Sequence, residues 1–236
     1  MVAPMDGRLF VVGDVHGCVA ELDVLLAALE LGAGDAVVCL GDYVDRGPSA
    51  RDVVDRLLEL QRRSDVHAVF LRGNHEDMLL GYLGLEGRHG DAFLANGGGA
   101  TARSYGLRGV ITPAHLRQAM PVEHLRFLER TQLAHVWGDY VMVHAGIRPG
   151  VPLARQTPED LMWIRHEFIV GPHDLGSTVV FGHTPTRDPI VDLPFKIGID
   201  TGCVYGGCLT ALELPARRLH QVARAGHAVR QSPLQA

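Results

Sequence analysis

A chain of 236 residues with 47% hydrophobic and 21% charged side chains is long enough, and apolar enough, to bury a sizeable core. Its formal net charge of −5 argues against a general nucleic-acid binder, and no run approaches the ~18 apolar residues of a membrane span. The opening MVAPMDGRLFVVGD has neither a basic segment nor a long apolar stretch, so a cytoplasmic location with four reduced cysteines is expected.

In chain order, RLFVV (8–12) predicts a short buried strand, and Val19, Leu22, Leu25, Leu26 and Leu29 then fall on one helical face. AVVCL (36–40) predicts a second strand, in which Cys39 packs as a small hydrophobe. Ser49 with Asp52 has the pattern of a capping box, opening a helix that buries Val53, Val54, Leu57 and Leu58. VHAVFL (66–71) is a third strand, and EDMLLGYL begins a third helix. This alternation implies parallel strands joined by right-handed crossovers. Residues 84–132 are glycine-rich and then helical, with NGGG at 96–99. Short strands follow at DYVMVH (139–144), TVVFG (178–182), PIVDL (189–193), KIGID (196–200) and CLTALEL (208–214), a spacing that predicts a second, mixed or antiparallel sheet. The expected fold is mixed α/β, two packed β-sheets flanked by helices, in one domain spanning 1–236. Cys203 and Cys208 flank VYGG but lack the second cysteine pair of a structural zinc site.

Each of the first three strands runs into a polar motif: GDVHG (13–17), GDYVDRG (41–47) and GNHE (73–76). Two later strands end in VHAG (143–146) and GHTP (182–185). Ligands of open parallel sheets bind beyond the carboxyl ends of the strands, so these motifs are expected to meet. They bring together Asp14, His16, Asp42, Asn74, His144 and His183, an oxygen and imidazole set without thiolates that suits Mn²⁺, Fe or Zn²⁺. Six ligands exceed the needs of one four-coordinate ion and suit two ions sharing a carboxylate. Such centres clamp the attacking and leaving oxygens of a displacement at phosphorus. His75 can protonate a leaving alkoxide, with Asp45 as its partner, and Arg46 and Arg72 can fork onto phosphate oxygens.

The ordered set GDVHG, GDYVDRG, GNHE, VHAG and GHTP, running from about residue 8 to 213, resembles the phosphoprotein phosphatase family of metallophosphoesterases, its small bacterial and phage-type members in particular. The resemblance implies a calcineurin-like sandwich of two sheets with two divalent ions, manganese first and iron or zinc as alternatives. It implies Asp14 and His16 on one ion, Asp42 bridging, and Asn74, His144 and His183 on the other. It also implies direct attack on phosphorus by a metal-bridging hydroxide, with no phosphoenzyme. His75, supported by Asp45, would serve as acid, and Arg46, Arg72 and Arg165 (in LMWIRHEF) would bind phosphate. Pro185 replaces the second histidine of the GHxH ending common in the wider group.

The symmetrical diadenosine tetraphosphatases share fold and metals but usually carry alanine at the position of Asp45 and GNHD in place of GNHE. Asp45 and Glu76 therefore favour a serine/threonine protein phosphatase, with phosphotyrosine as a further substrate. The alternatives are a dinucleoside polyphosphate or other small-phosphate hydrolase, and an inactive phospho-binding relative, which the complete ligand set disfavours. FLANGGGATARSYG (93–106) reads as a structural turn before a phosphate cradle. The expected partners are a phosphorylated protein or small phosphoester, with no nucleic acid and no membrane.

Overall fold

The computed structural model describes residues 7–235. Strands β1 (Leu9–Val12), β2 (Ala36–Cys39) and β3 (His67–Phe70) pair in parallel, Leu9 opposite Ala36 and Ala36 opposite His67. Their near-continuous apolar sequence follows from burial on both faces. Phe10, Val12, Val37, Cys39 and Phe70 pack into a helix-covered core, while Leu9, Val11, Ala36, Val38 and Val69 face the second sheet.

Helices α1 (Val19–Ala28), α2 (Ala50–Gln61) and α3 (Asn74–Tyr82) follow the three strands, as the periodicity predicts. The capping box at α2 does not form. Ser49 occupies the N-cap position, but its hydroxyl caps nothing, and its N–H donates instead to the Gly17 carbonyl at 3.1 Å. That bond ties the start of α2 to the GDVHG turn. Residues 84–132 supply a π-helical turn at Leu94–Gly98 and helices α4 (Gly99–Ser104), α5 (Pro113–Ala119) and α6 (Val122–Glu129).

The second sheet has the order β4-β5-β6-β8-β7, built from β4 (Ala134–Trp137), β5 (Tyr140–Val143), β6 (Thr178–Phe181), β7 (Ile190–Asp192) and β8 (Lys196–Gly198). Its inner strands β5, β6 and β8 are parallel and the outer two antiparallel, so it is mixed as expected. Helices α7 (Pro158–Trp163) and α8 (His166–Ile169) cover its outer face, where Val141, Val143, Val179 and Phe181 meet Leu161, Ile164 and Phe168.

One assignment changes. CLTALEL forms β9 (Cys208–Leu214), which leaves the second sheet and pairs antiparallel with β1, Leu9 opposite Leu214. Strands β10 (Arg218–Ala223) and β11 (Val229–Pro233) extend that edge. Their arginines, histidine and glutamines hide the strand pattern, because the edge needs fewer apolar residues. Met142, Val180, Ile197 and Ile199 close the core between the sheets against Val11, Val38 and Leu212. Among the described residues no helix is long and apolar enough to cross a membrane.

Candidate active site

The carboxyl ends of β1, β2, β3, β5, β6 and β8 converge, and each contributes a buried polar group. The turns that deliver them are strained. His16, Asp42, Asp45, Arg46 and His183 all have positive φ, between 44° and 70°, a region that costs a non-glycine residue about 1–3 kcal/mol and clusters at functional sites. Two glycines make room. A Cβ on Gly73 would lie 2.1 Å from Asp42 Oδ1, and one on Gly182 would lie 2.1 Å from Asp14 Oδ1.

The donor set fits divalent ions. His144 Nδ1–H donates to the Leu40 carbonyl at 2.9 Å, which turns its Nε2 lone pair toward Asn74 Oδ1 (3.1 Å) and Asp42 Oδ1 (3.4 Å). His16 Nδ1–H likewise donates to the Val44 carbonyl at 2.8 Å, leaving Nε2 to face Asp42 Oδ2 at 3.4 Å. For His144 this sets acceptors against acceptors, an arrangement a cation relieves, while His16 Nε2 is also met by the Arg46 guanidinium. His183 Nδ1 lies 3.0 Å from Asn74 Oδ1, and its Nε2 is buried without a partner. Donor atoms of His16, Asp42 and His75 lie within 4.8 Å of one another, as do those of Asp42, His144 and His183, and Asp42 belongs to both groups. Ions bound there supply Lewis-acid polarisation of a phosphoryl oxygen. Asp14 stands beside this cluster, its carboxylate accepting the His183 backbone N–H at 3.1 Å.

Electrostatics agree with that assignment. Burial opposes the charge of Asp42, but the imidazoles of His144, His75 and His16 outweigh it and hold the carboxyl well below its usual range. Burial drives Asp14 well above the ordinary value, with the Asp200 and Asp42 carboxylates adding to the effect. Burial also pushes His183 well down, helped by His144 and Arg165, so its imidazole is neutral and ready to ligate. Crowded carboxylates around Asp14, with His144 and His183 both pushed toward the neutral form by burial, suit a cation site.

His75 is 1% exposed, and its Nδ1–H donates to Asp45 Oδ2 at 2.7 Å. Thr101 completes the chain: its hydroxyl donates to Asp45 Oδ1 at 2.6 Å and accepts the Asp45 N–H at 2.8 Å. With Nδ1 so fixed, His75 Nε2 is the atom that can hand a proton to a leaving oxygen. Arg46 reaches His16 Nε2 at 2.5 Å and lies over the Tyr205 ring, 5.5 Å from its centroid. The NGGG segment is structural: the Gly97 carbonyl accepts the Arg46 N–H, and a Cβ on Gly97 would meet the Arg46 side chain at 2.8 Å. Arg165 stands exposed at the start of α8, near enough to disfavour protonation of His183.

Arg72 departs from its expected role. Its guanidinium donates to Thr131 Oγ1 (3.1 Å) and to the carbonyls of Glu86 (3.1 Å) and Glu129 (2.8 Å), and it lies 3.8 Å from Asp77. Those bonds tie the residues after β3 to the end of α6 and engage all three guanidinium nitrogens there. Glu76 is also reassigned. Fully buried, it accepts the N–H groups of Asp42 (2.7 Å), Tyr43 (2.8 Å), Val44 (3.2 Å) and Gly73 (2.9 Å), so it shapes the GDYVD loop and touches no substrate.

The sequence motifs give no role to Asp200, Tyr205 or Thr101, and give Glu76 a different one. Asp200 is buried beside Asp14, and its place after KIGI repeats the strand-end signal of the other ligands. Tyr205, 60% exposed, lies one short turn further on. Thr101 and Glu76 act through hydrogen bonds that no local pattern announces.

The calcineurin-like phosphoesterase model matches residues 7–227. The bis(5'-nucleosyl)-tetraphosphatase PrpE [asymmetrical] of Anoxybacillus flavithermus is 30% identical over 233 residues, covering 87% of this chain and 89% of the relative. Its counterpart in Bacillus cereus strain AH820 is 29% identical over the same shares of each chain. A crystal structure provisionally identified as a diadenosine tetraphosphatase superposes with a TM-score of 0.69 at 28% identity, covering 92% of this chain and 93% of that one. The cold-active protein-tyrosine phosphatase of a psychrophilic Shewanella shares the fold at a TM-score of 0.64 and 18% identity, covering 97% and 80%. By match, fold and ligand set alike, the chain belongs to the calcineurin-like phosphoesterase family.

Proposed function

We propose that this phosphoesterase hydrolyses dinucleoside tetraphosphates asymmetrically, breaking one terminal phosphoanhydride bond to give a nucleoside mono- and triphosphate. Asp14, His16, Asp42, Asn74, His144 and His183 hold two divalent ions, manganese first. Arg46 and Arg165 bind phosphate oxygens. The observation that carries the reading is Tyr205, an exposed aromatic ring at the mouth of the site with Arg46 against one face. An aromatic platform beside a phosphate-binding arginine suits a nucleobase joined to a polyphosphate. The names of the relatives support the same substrate class.

Phosphomonoester hydrolysis, of phosphoserine and phosphothreonine in proteins, is the second reading, and the His75–Asp45–Thr101 chain favours it. A serine or threonine alkoxide needs a proton to leave, whereas a nucleoside polyphosphate leaves as a stable anion with less assistance. Glu76 no longer bears on the choice, since its position is architectural.

The deciding experiment offers Mn²⁺-loaded protein diadenosine tetraphosphate and a phosphoserine peptide, each with an EDTA control. Faster turnover of the dinucleotide to AMP and ATP is expected. Tyr205→Ala is expected to raise KM for the dinucleotide about 5- to 150-fold, the value of one base stack of about 1–3 kcal/mol, while sparing p-nitrophenyl phosphate. Faster turnover of the peptide would overturn the first reading in favour of the second, and two ADP as products would exclude the asymmetric cut.

A further inference from the structure

A second cluster of metal-ligating side chains lies outside the phosphoesterase centre. The sulfurs of Cys18 and Cys203 and a carboxylate oxygen of Glu21 lie within 4.8 Å of one another. All three residues are at most 2% exposed. Cys18 is the N-cap of α1 and Glu21 lies three residues on, so both face the same way from the first turn. Cys203 comes from the turn that carries Tyr205. The expected neighbour of Cys203, Cys208, pairs instead through its backbone with Gly202.

We propose that Cys18, Glu21 and Cys203 form a binding site for a thiophilic divalent cation of the zinc class, distinct from the oxygen and imidazole centre. Glu21 is the second observation that points to a ligand. Its Oε1 accepts the Ala225 N–H at 2.8 Å and a bond from Arg224, while its Oε2 is buried with no partner. A buried carboxylate oxygen left unpaired is costly, and a cation among the three donors satisfies it. Arg224 and Ala225 fix the carboxylate so that one oxygen remains for a metal, the usual task of groups behind a ligand. A divalent ion together with Arg224 balances two thiolates and one carboxylate. Two sulfurs and one oxygen select zinc-class ions over Mg²⁺, Ca²⁺ or Mn²⁺, and three protein donors leave one tetrahedral position open. An ion there would join the start of α1, two residues past His16, to the turn bearing Tyr205 and to the end of β10.

Co²⁺ titration of the reduced full-length protein tests this, because thiolate ligation produces a charge-transfer absorption that oxygen and nitrogen ligands do not. The Asp42→Asn variant, tested in parallel, removes the contribution of the phosphoesterase ions. A saturable band is expected in both proteins, complete at one equivalent in the Asp42→Asn variant and bleached by Zn²⁺. It should vanish in Cys18→Ser and in Cys203→Ser, and Arg224→Gln should weaken the affinity about 10- to 100-fold. In the unsubstituted protein Zn²⁺ should slow alkylation of Cys18 and Cys203 but not of Cys208, a readout that does not depend on any variant folding. No thiolate band, a band surviving either serine substitution, or unprotected cysteines would overturn the proposal. So would a mass two hydrogens short in the air-exposed protein with no metal bound, since the two thiols would then be a disulfide pair.

Discussion

Glu76→Gln isolates the residue that shapes the metal-binding loop without touching substrate. Glu76 Oε1 accepts from Tyr43 and Val44, and Oε2 from Asp42 and Gly73. Replacing either oxygen with an amide NH₂ sets two buried backbone N–H groups against a donor. Each unsatisfied donor costs about 1–3 kcal/mol, so the loss should be about 2–6 kcal/mol. That is a large share of the about 5–15 kcal/mol that holds a domain folded. Equilibrium urea unfolding of the metal-free variant and the unsubstituted protein measures it, with the midpoint falling at constant slope. Glu76→Asp should behave similarly, because the shorter side chain draws both oxygens back from the loop. A change below about 1 kcal/mol in Glu76→Gln would refute the reasoning and return Glu76 to the list of residues that sort substrates.

Asp42→Asn should abolish turnover and Mn²⁺-dependent stabilisation together, since Asp42 belongs to both oxygen and imidazole donor groups; a Mn²⁺-induced rise in Tm that survives it would remove Asp42 from the bridge. His75→Asn should retain metal and slow esters with poor leaving groups most, by about 10²–10⁴-fold; equal losses on good and poor leaving groups would argue against an acid role. Arg72→Ala should lower stability by about 1–3 kcal/mol with KM unchanged, measured by urea unfolding and steady-state kinetics. Arg165→Ala should do the reverse, raising KM with little change in stability.

Much of this site is local in sequence. Each ligand motif follows an apolar run because a strand buried on both faces must be apolar, and because such strands present ligands beyond their carboxyl ends. GDVHG, GDYVDRG, GNHE, VHAG and GHTP therefore mark both the sheets and the candidate metal centre, and the contact of His75 with Asp45 joins two of the same motifs. Helices α1 and α2 show in their spacing for a similar reason: one face must meet the core.

What the tertiary structure decides is where side chains with several donors or acceptors spend them. Arg72 and Arg46 are equivalent in sequence, each beside a ligand motif, yet Arg72 is consumed by carbonyls near Glu86 and Glu129 while Arg46 stays at the site. Ser49 has the residue type of a cap but not the geometry. Glu76 is one residue of a motif until four N–H groups from two separate turns close on it. Strand β9 leaves one sheet for the other because pairing partners are set by packing across the whole chain, not by spacing along it. The meeting of Cys18 with Cys203 is decided in the same way, across 185 residues of sequence that carry no sign of it.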